Sequence, residues 1–172
     1  MTTEGNGGAP RLPRAIESDD CHAAVQATLA AATRPLWAGA GVVAAVVPLT
    51  HALRRALRTA ASDGMLLRGL EAAERALDAE QRGLAALPEP EARRHGGRVS
   101  RLLLVANDGA ERLYRRVERL VIAHAPRVLP CIVACDSASM GALLYGPGET
   151  AKLVLAEHKT AVTAILRALA RP

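Results

Sequence analysis

The stretch Leu66–Leu77, LLRGLEAAERAL, holds the residues best suited to chemistry with an anion. A glycine opening a helix brings backbone N–H groups and the positive helix end close to whatever lies against it, and phosphate oxygens suit that place. Arg68 and Arg75 add guanidinium charge on either side of Gly69. The same residues also read as an ordinary helix start with an exposed Glu71–Arg75 pair at i, i+4. Catalytic chemistry has less to work with. Asp108 stands at the end of an apolar run where α/β proteins often place active sites, but a helix cap is the better account of it. No phosphate loop, nucleophile elbow or dinucleotide fingerprint occurs, so no enzyme is expected. Cys131 and Cys135 lie four apart in a β-branched run; on one strand that separation is about 13 Å, too far to share an ion, so they read as small core residues and no metal or cofactor is expected. None of the five histidines pairs with another His or Cys at metal spacing. His95 falls in a loop-like stretch, and His124 near a helix end whose dipole favours a cation.

These side chains need elements to position them. Arg101–Asp108, RLLLVAND, reads as a fully buried strand, followed at Glu111–Ala125 by a helix with Leu113, Val117, Leu120 and Val121 at helical spacing. Pro126 breaks the chain before a second strand, Val128–Cys135, and a third follows at Ala151–Ala156. Between them Asp136 and Ser137 cap a short helix through Tyr145. The last helix buries Val162, Ile165, Leu166 and Leu169. Strands alternating with helices predict an α/β fold, a three-layer α/β/α sandwich with a small mixed sheet. Upstream, Thr50–Ala61 is an amphipathic helix with Arg54, Arg55 and Arg58 on its polar side, and Met65–Arg68 is short enough for an edge strand. Residues 1–14 are expected to be a disordered tail and 15–48 an Ala-rich helical extension; within the latter, Leu36–Leu49 is too short and too interrupted by Gly39, Gly41 and Pro48 to span a membrane, and reads as buried. Pro88, Pro90 and the Gly96–Gly97 pair mark 83–97 as a surface loop.

The composition narrows the classes. With 172 residues and 50% apolar content the chain can build a real core. Aromatics are only 2%, with no Phe, which argues against stacking single-stranded bases on aromatic platforms. A formal charge of +5 and a pI near 9.7 tilt toward an anionic partner. The basic residues are almost all Arg, with only Lys152 and Lys159 as lysines, and base-composition bias gives the same excess. Three cysteines form no disulfide framework, which suits a reducing compartment.

The ordered set LTHALRRALRTAASDGMLLRGLEAAERAL, RLLLVAND, LPCIVACDSASMG and KLVLAE resembles the ribosomal protein superfamily called, in words, L-seven-Ae, L-thirty-e, S-twelve-e and Gadd-forty-five, over roughly Leu49 to Leu169. Arg68-Gly69, Ala106-Asn107-Asp108, Pro130 and Met140-Gly141 carry the likeness. It implies an RNA-binding domain over 49–172, in a ribosomal, small nucleolar or ribonuclease P particle. The kink-turn readers carry Asn-Glu after the glycine and a Lys three residues on; aligned by Gly69, this chain has Glu71 and Ala72 there, and Arg75 keeps the cationic position. The family places a second loop beside the RNA, here Gly146, Gly148 and Thr150. Expected partners are therefore structured RNA and other ribonucleoprotein subunits, in the nucleus or nucleolus or on the cytoplasmic ribosome, with no membrane. The competing expectation is a protein-interaction or homo-oligomerisation module on the same fold, docking through Leu36–Leu49.

Overall fold

The computed structural model describes residues 8–172. In chain order the elements are α1 (Arg14–Glu17), α2 (His22–Ala31), β1 (Thr33–Pro35), β2 (Val43–Val47), α3 (His51–Ser62), β3 (Leu66–Arg68) and α4 (Leu70–Ala85). They continue with α5 (Glu89–Gly96), β4 (Arg101–Ala106), α6 (Glu111–Ala123), β5 (Val128–Val133), α7 (Ser137–Tyr145), β6 (Leu153–Ala156) and α8 (Lys159–Leu169). The strands form one mixed sheet in the order β1-β2-β5-β4-β6-β3. β2, β5 and β4 run parallel, while β1 on one edge and β6 and β3 on the other are antiparallel to their neighbours.

The sheet is covered on both faces because its central strands are apolar at every position but Arg101, and period-2 alternation deals those residues to two cores. From β4, Leu102, Leu104 and Ala106 join one core and Leu103 and Val105 the other; β6 divides likewise into Val154 and Ala156 against Leu153 and Leu155. The first core is closed by the buried residues of α1, α2, α3, α7 and α8, the second by those of α4 and α6. This is the α/β sandwich that the sequence predicts.

Three expectations are corrected. The 15–48 extension is not helical throughout: after α2 it contributes β1 and β2, and β2 pairs along β5 through Ala45↔Cys131 to Val47↔Val133. As expected, this apolar run reaches the core, through Leu36, Ala44, Ala45 and Val47, while Val43 stays exposed at the surface. Within 83–97, α4 runs on to Ala85 and α5 follows, with His95 on that helix; Pro90 falls in its first turn, where a missing N–H costs nothing. Of the 1–14 tail, residues 1–7 lie outside the described residues; beyond them Leu12 is fully buried and the Arg11 carbonyl accepts the Val99 N–H at 2.9 Å, so the described part of this segment is tied down.

Candidate nucleic-acid interface

At one end of the sheet the C-terminal ends of the parallel strands lie beside the N-termini of α4, α6 and α7. Gly69 is the turn between β3 and α4, with φ 94° and ψ 155°, a conformation that L side chains rarely adopt. Its amide was expected to be free for a ligand, and this is corrected: the Gly69 N–H donates to the Leu153 carbonyl at 3.1 Å, extending the β3–β6 pairing by one residue. The amides of Leu70, Glu71 and Ala72 have no acceptor among the described residues, so the helix end still presents N–H groups one step further on. Glu71 is exposed there and Ala72 half-exposed. Arg75 is exposed and forms no ion pair among the described residues; the Glu71–Arg75 pair is not formed.

Arg68 has a different part from the one foreseen. Its guanidinium donates to Glu149 Oε2 at 2.9 Å and to the Thr150 carbonyl, and lies over the Tyr145 ring, 4.6 Å from its centroid. It therefore ties the Gly146–Thr150 loop to the start of α4. Its charge is paired with Glu149, which leaves it a positioning residue more than a free cation. Gly146 and Gly148 take positive φ in this loop, and Gly148 and Thr150 are exposed. The loop lies so close to α7 that a Cβ on Gly141 would sit 2.2 Å from the Glu149 carbonyl oxygen. The Ala151 N–H completes the attachment by donating to the Ser137 carbonyl at 2.9 Å. Next to Arg68, the Tyr145 hydroxyl is buried without a hydrogen-bond partner among the described residues, and burial pushes it above the ordinary phenol value.

Two further cations share this end and were not singled out from the sequence. Arg112 is exposed in the first turn of α6. Lys152 is exposed just before β6, its carbonyl accepting the Ala106 N–H at the end of β4. Nothing in their local sequence distinguishes them, because only the β4–β6 pairing brings them here.

Asp108 does not cap the helix that follows it. Its Oδ1 accepts the Ser137 N–H at 2.8 Å and its Oδ2 the Ser137 hydroxyl at 3.0 Å, so it holds the first residue of α7, whose N-cap is Asp136, while α6 has Ala110 as its N-cap and no side-chain cap. The chain leaves β4 toward one face and β5 toward the other, and Asp108 bridges the crevice between them. Asp136 accepts the Ser139 N–H at 2.6 Å, which holds its carboxyl below the usual range. His124 is the C-cap residue of α6, as its place near a helix end suggested. It is buried, with Nε2 3.2 Å from Asp78 and Nδ1 3.3 Å from an Arg127 guanidinium nitrogen, so Nδ1 must accept and Nε2 donate. Cys131 is buried and its thiol is pushed up to about 12 by desolvation, whereas Cys135 lies just past the end of β5. No group of three His, Cys, Asp or Glu side chains among the described residues is placed to hold a metal.

No family model and no curated protein matches the chain. Among solved structures it is similar to a protein of unknown function from Bacillus halodurans C, at 18% identity over 70% of this chain and 96% of that one, with a TM-score of 0.43.

Proposed function

We infer that this protein is an RNA-binding component of a ribonucleoprotein, a divergent member of the superfamily that its segments resemble, and that it meets structured RNA at the α4 corner. One observation supports this reading above the others. The two segments that the resemblance assigns to RNA, Arg68–Arg75 and Gly146–Thr150, stand some eighty residues apart in sequence, yet Arg68 joins them directly through Glu149 and Thr150. Arg75, Arg112 and Lys152 add positive charge without ion-pair partners among the described residues; Glu71, Asp108 and Asp136 are the exposed carboxylates there without one, and Asp108 and Asp136 are turned to the Ser137 and Ser139 N–H groups. The helix-end amides of Leu70, Glu71 and Ala72 suit phosphate oxygens.

The same geometry shapes the specificity. With Glu71 and Ala72 where kink-turn readers carry Asn-Glu, and with the Gly69 amide committed to Leu153, the corner offers few donors to a base edge. Binding is therefore mainly to the backbone. The test is a gel-shift comparison of a kink-turn RNA with the same RNA whose G·A pairs are replaced by Watson–Crick pairs. Affinities within about threefold of each other are expected, since a lost bidentate base contact alone is worth ~1–3 kcal/mol. Failure to bind either RNA at moderate salt would overturn the assignment.

A further inference from the structure

A second surface lies on the opposite face of the sheet from α4 and α6, in the groove between α3 and α8. The groove has a volume of about 360 Å³. Its floor is made of methyl groups, from Ala52, Ala56 and Ala60 of α3 and Ala161, Ala164 and Ala168 of α8. The two helices run antiparallel: the Met65 carbonyl just after α3 accepts the Glu157 N–H just before α8. The groove's charge is therefore graded along its length. Arg55 near the start of α3 and Arg171 after the end of α8 belong to one end, and Asp63 caps the other. Neither arginine has an ion-pair partner among the described residues, whereas Arg167 on the same wall is taken by Asp19 at 2.8 Å. Arg54 and Arg58 extend the exposed positive charge along α3.

We propose that this groove receives an amphipathic helix of an acidic partner protein, its apolar stripe on the alanine floor and its carboxylates at the Arg55–Arg171 end. Charge complementarity and shape select this occupant. Arg55 to Asp63 spans about 12 Å of helix, a little over two turns, which suits a short helical segment lying lengthwise. The partner's C-terminal half belongs at the arginine end, where its dipole and its carboxylates both meet guanidinium, leaving its N-terminal amides beside Asp63. A second copy of this chain fits poorly, because two concave faces apposed would enclose an unfilled space lined by methyls. A nucleic-acid strand would engage the arginines but leave the apolar floor unused, with no aromatic ring there for a base to stack on.

The probe is a fluorescein-labelled synthetic helix of about four turns, with leucines at i, i+3 and i+4 spacing and glutamates in its C-terminal half, read by anisotropy. A scrambled peptide of the same composition and a labelled RNA hairpin serve as controls. The ordered peptide is expected to bind the full chain. Arg55→Glu with Arg171→Glu, and separately Ala56→Leu, which fills the floor, should each weaken it at least ~10-fold, leaving hairpin affinity and the far-UV circular dichroism unchanged. No binding, or equal binding of the scrambled peptide, overturns the proposal. So does loss of hairpin rather than peptide affinity in the arginine variant, which would make the groove an RNA surface. A dimer seen by light scattering and abolished by Ala56→Leu would assign it to a second copy.

Discussion

Individual side chains in this protein do more bridging than the sequence suggests. Glu118 sits on the buried side of α6, where its carboxylate accepts the Trp37 Nε1–H at 2.6 Å and the Gly41 and Val42 N–H groups at 2.7 and 3.0 Å. It thereby fixes the turn that leads into β2. Arg115 lies over the same indole, 3.9 Å from its centroid. Burial works against the charged carboxyl, but the N–H groups of Val42, Trp37 and Gly41, with the Arg115 charge, outweigh it and hold Glu118 below its ordinary value of 4.5. A carboxyl lowered by folding stabilises the native state above the unfolded value, and that contribution is lost as pH falls through the folded one. Thermal melts should therefore lose stability from about pH 4.5 downward less steeply in Glu118→Gln than in the wild type, and Trp37, the sole tryptophan, reports the loosening by fluorescence. Tyr145 gives the opposite case. Because its buried hydroxyl has no partner among the described residues, Tyr145→Phe should keep the Arg68 stack and cost nothing, with a gain of up to about 1 kcal/mol in a denaturant titration. The types and positions of Arg68, Gly69 and Arg75 were legible from the sequence. What Arg68 grips and where the Gly69 amide points were not, because both partners arrive from more than eighty residues away.

Among the elements, the strands and helices from Thr50 onward follow their hydrophobic periods closely. α3 buries Leu53, Leu57 and Ala60, and α8 buries the predicted stripe of Val162, Ile165, Leu166 and Leu169. The misreadings occur where a local signal has two meanings. Prolines at 88 and 90 read as breakers but occupy the N-cap and first turn of α5. The apolar run before Pro48 lacks alternation because β2 is covered on both faces, so its pattern could not distinguish a strand from another buried segment. Asp108 was readable as a helix-start residue, but not as one that holds the start of α7, beyond α6 and β5. α7 and the loop after it depend on each other most tightly. Gly141→Ala would drive a methyl into the Glu149 backbone, so the loop must shift or the helix must move. The expected result is a loss of about 1–3 kcal/mol in stability, with weaker RNA binding as the loop leaves the α4 corner. Unchanged stability and affinity would show that the loop's placement is immaterial.

At the scale of the whole molecule, one sheet separates two unlike surfaces. The end bearing the α4, α6 and α7 N-termini gathers Arg75, Arg112, Lys152 and the Arg68-tethered loop, while the α3–α8 face carries an apolar groove with a basic end. No helix among the described residues is long and apolar enough to cross a membrane. On the proposed function, the free cations Arg75, Arg112 and Lys152 at the strand-end corner would make RNA association an ion-exchange process, in which each neutralised phosphate releases a counterion. The most direct measurement is the salt dependence of RNA affinity for the wild type, Arg75→Ala and the Arg75→Ala, Lys152→Ala pair. The account predicts a linear fall of log K with log salt, its slope shallower by about one for the single variant and about two for the pair. An affinity indifferent to salt, or slopes identical in all three proteins, would contradict it.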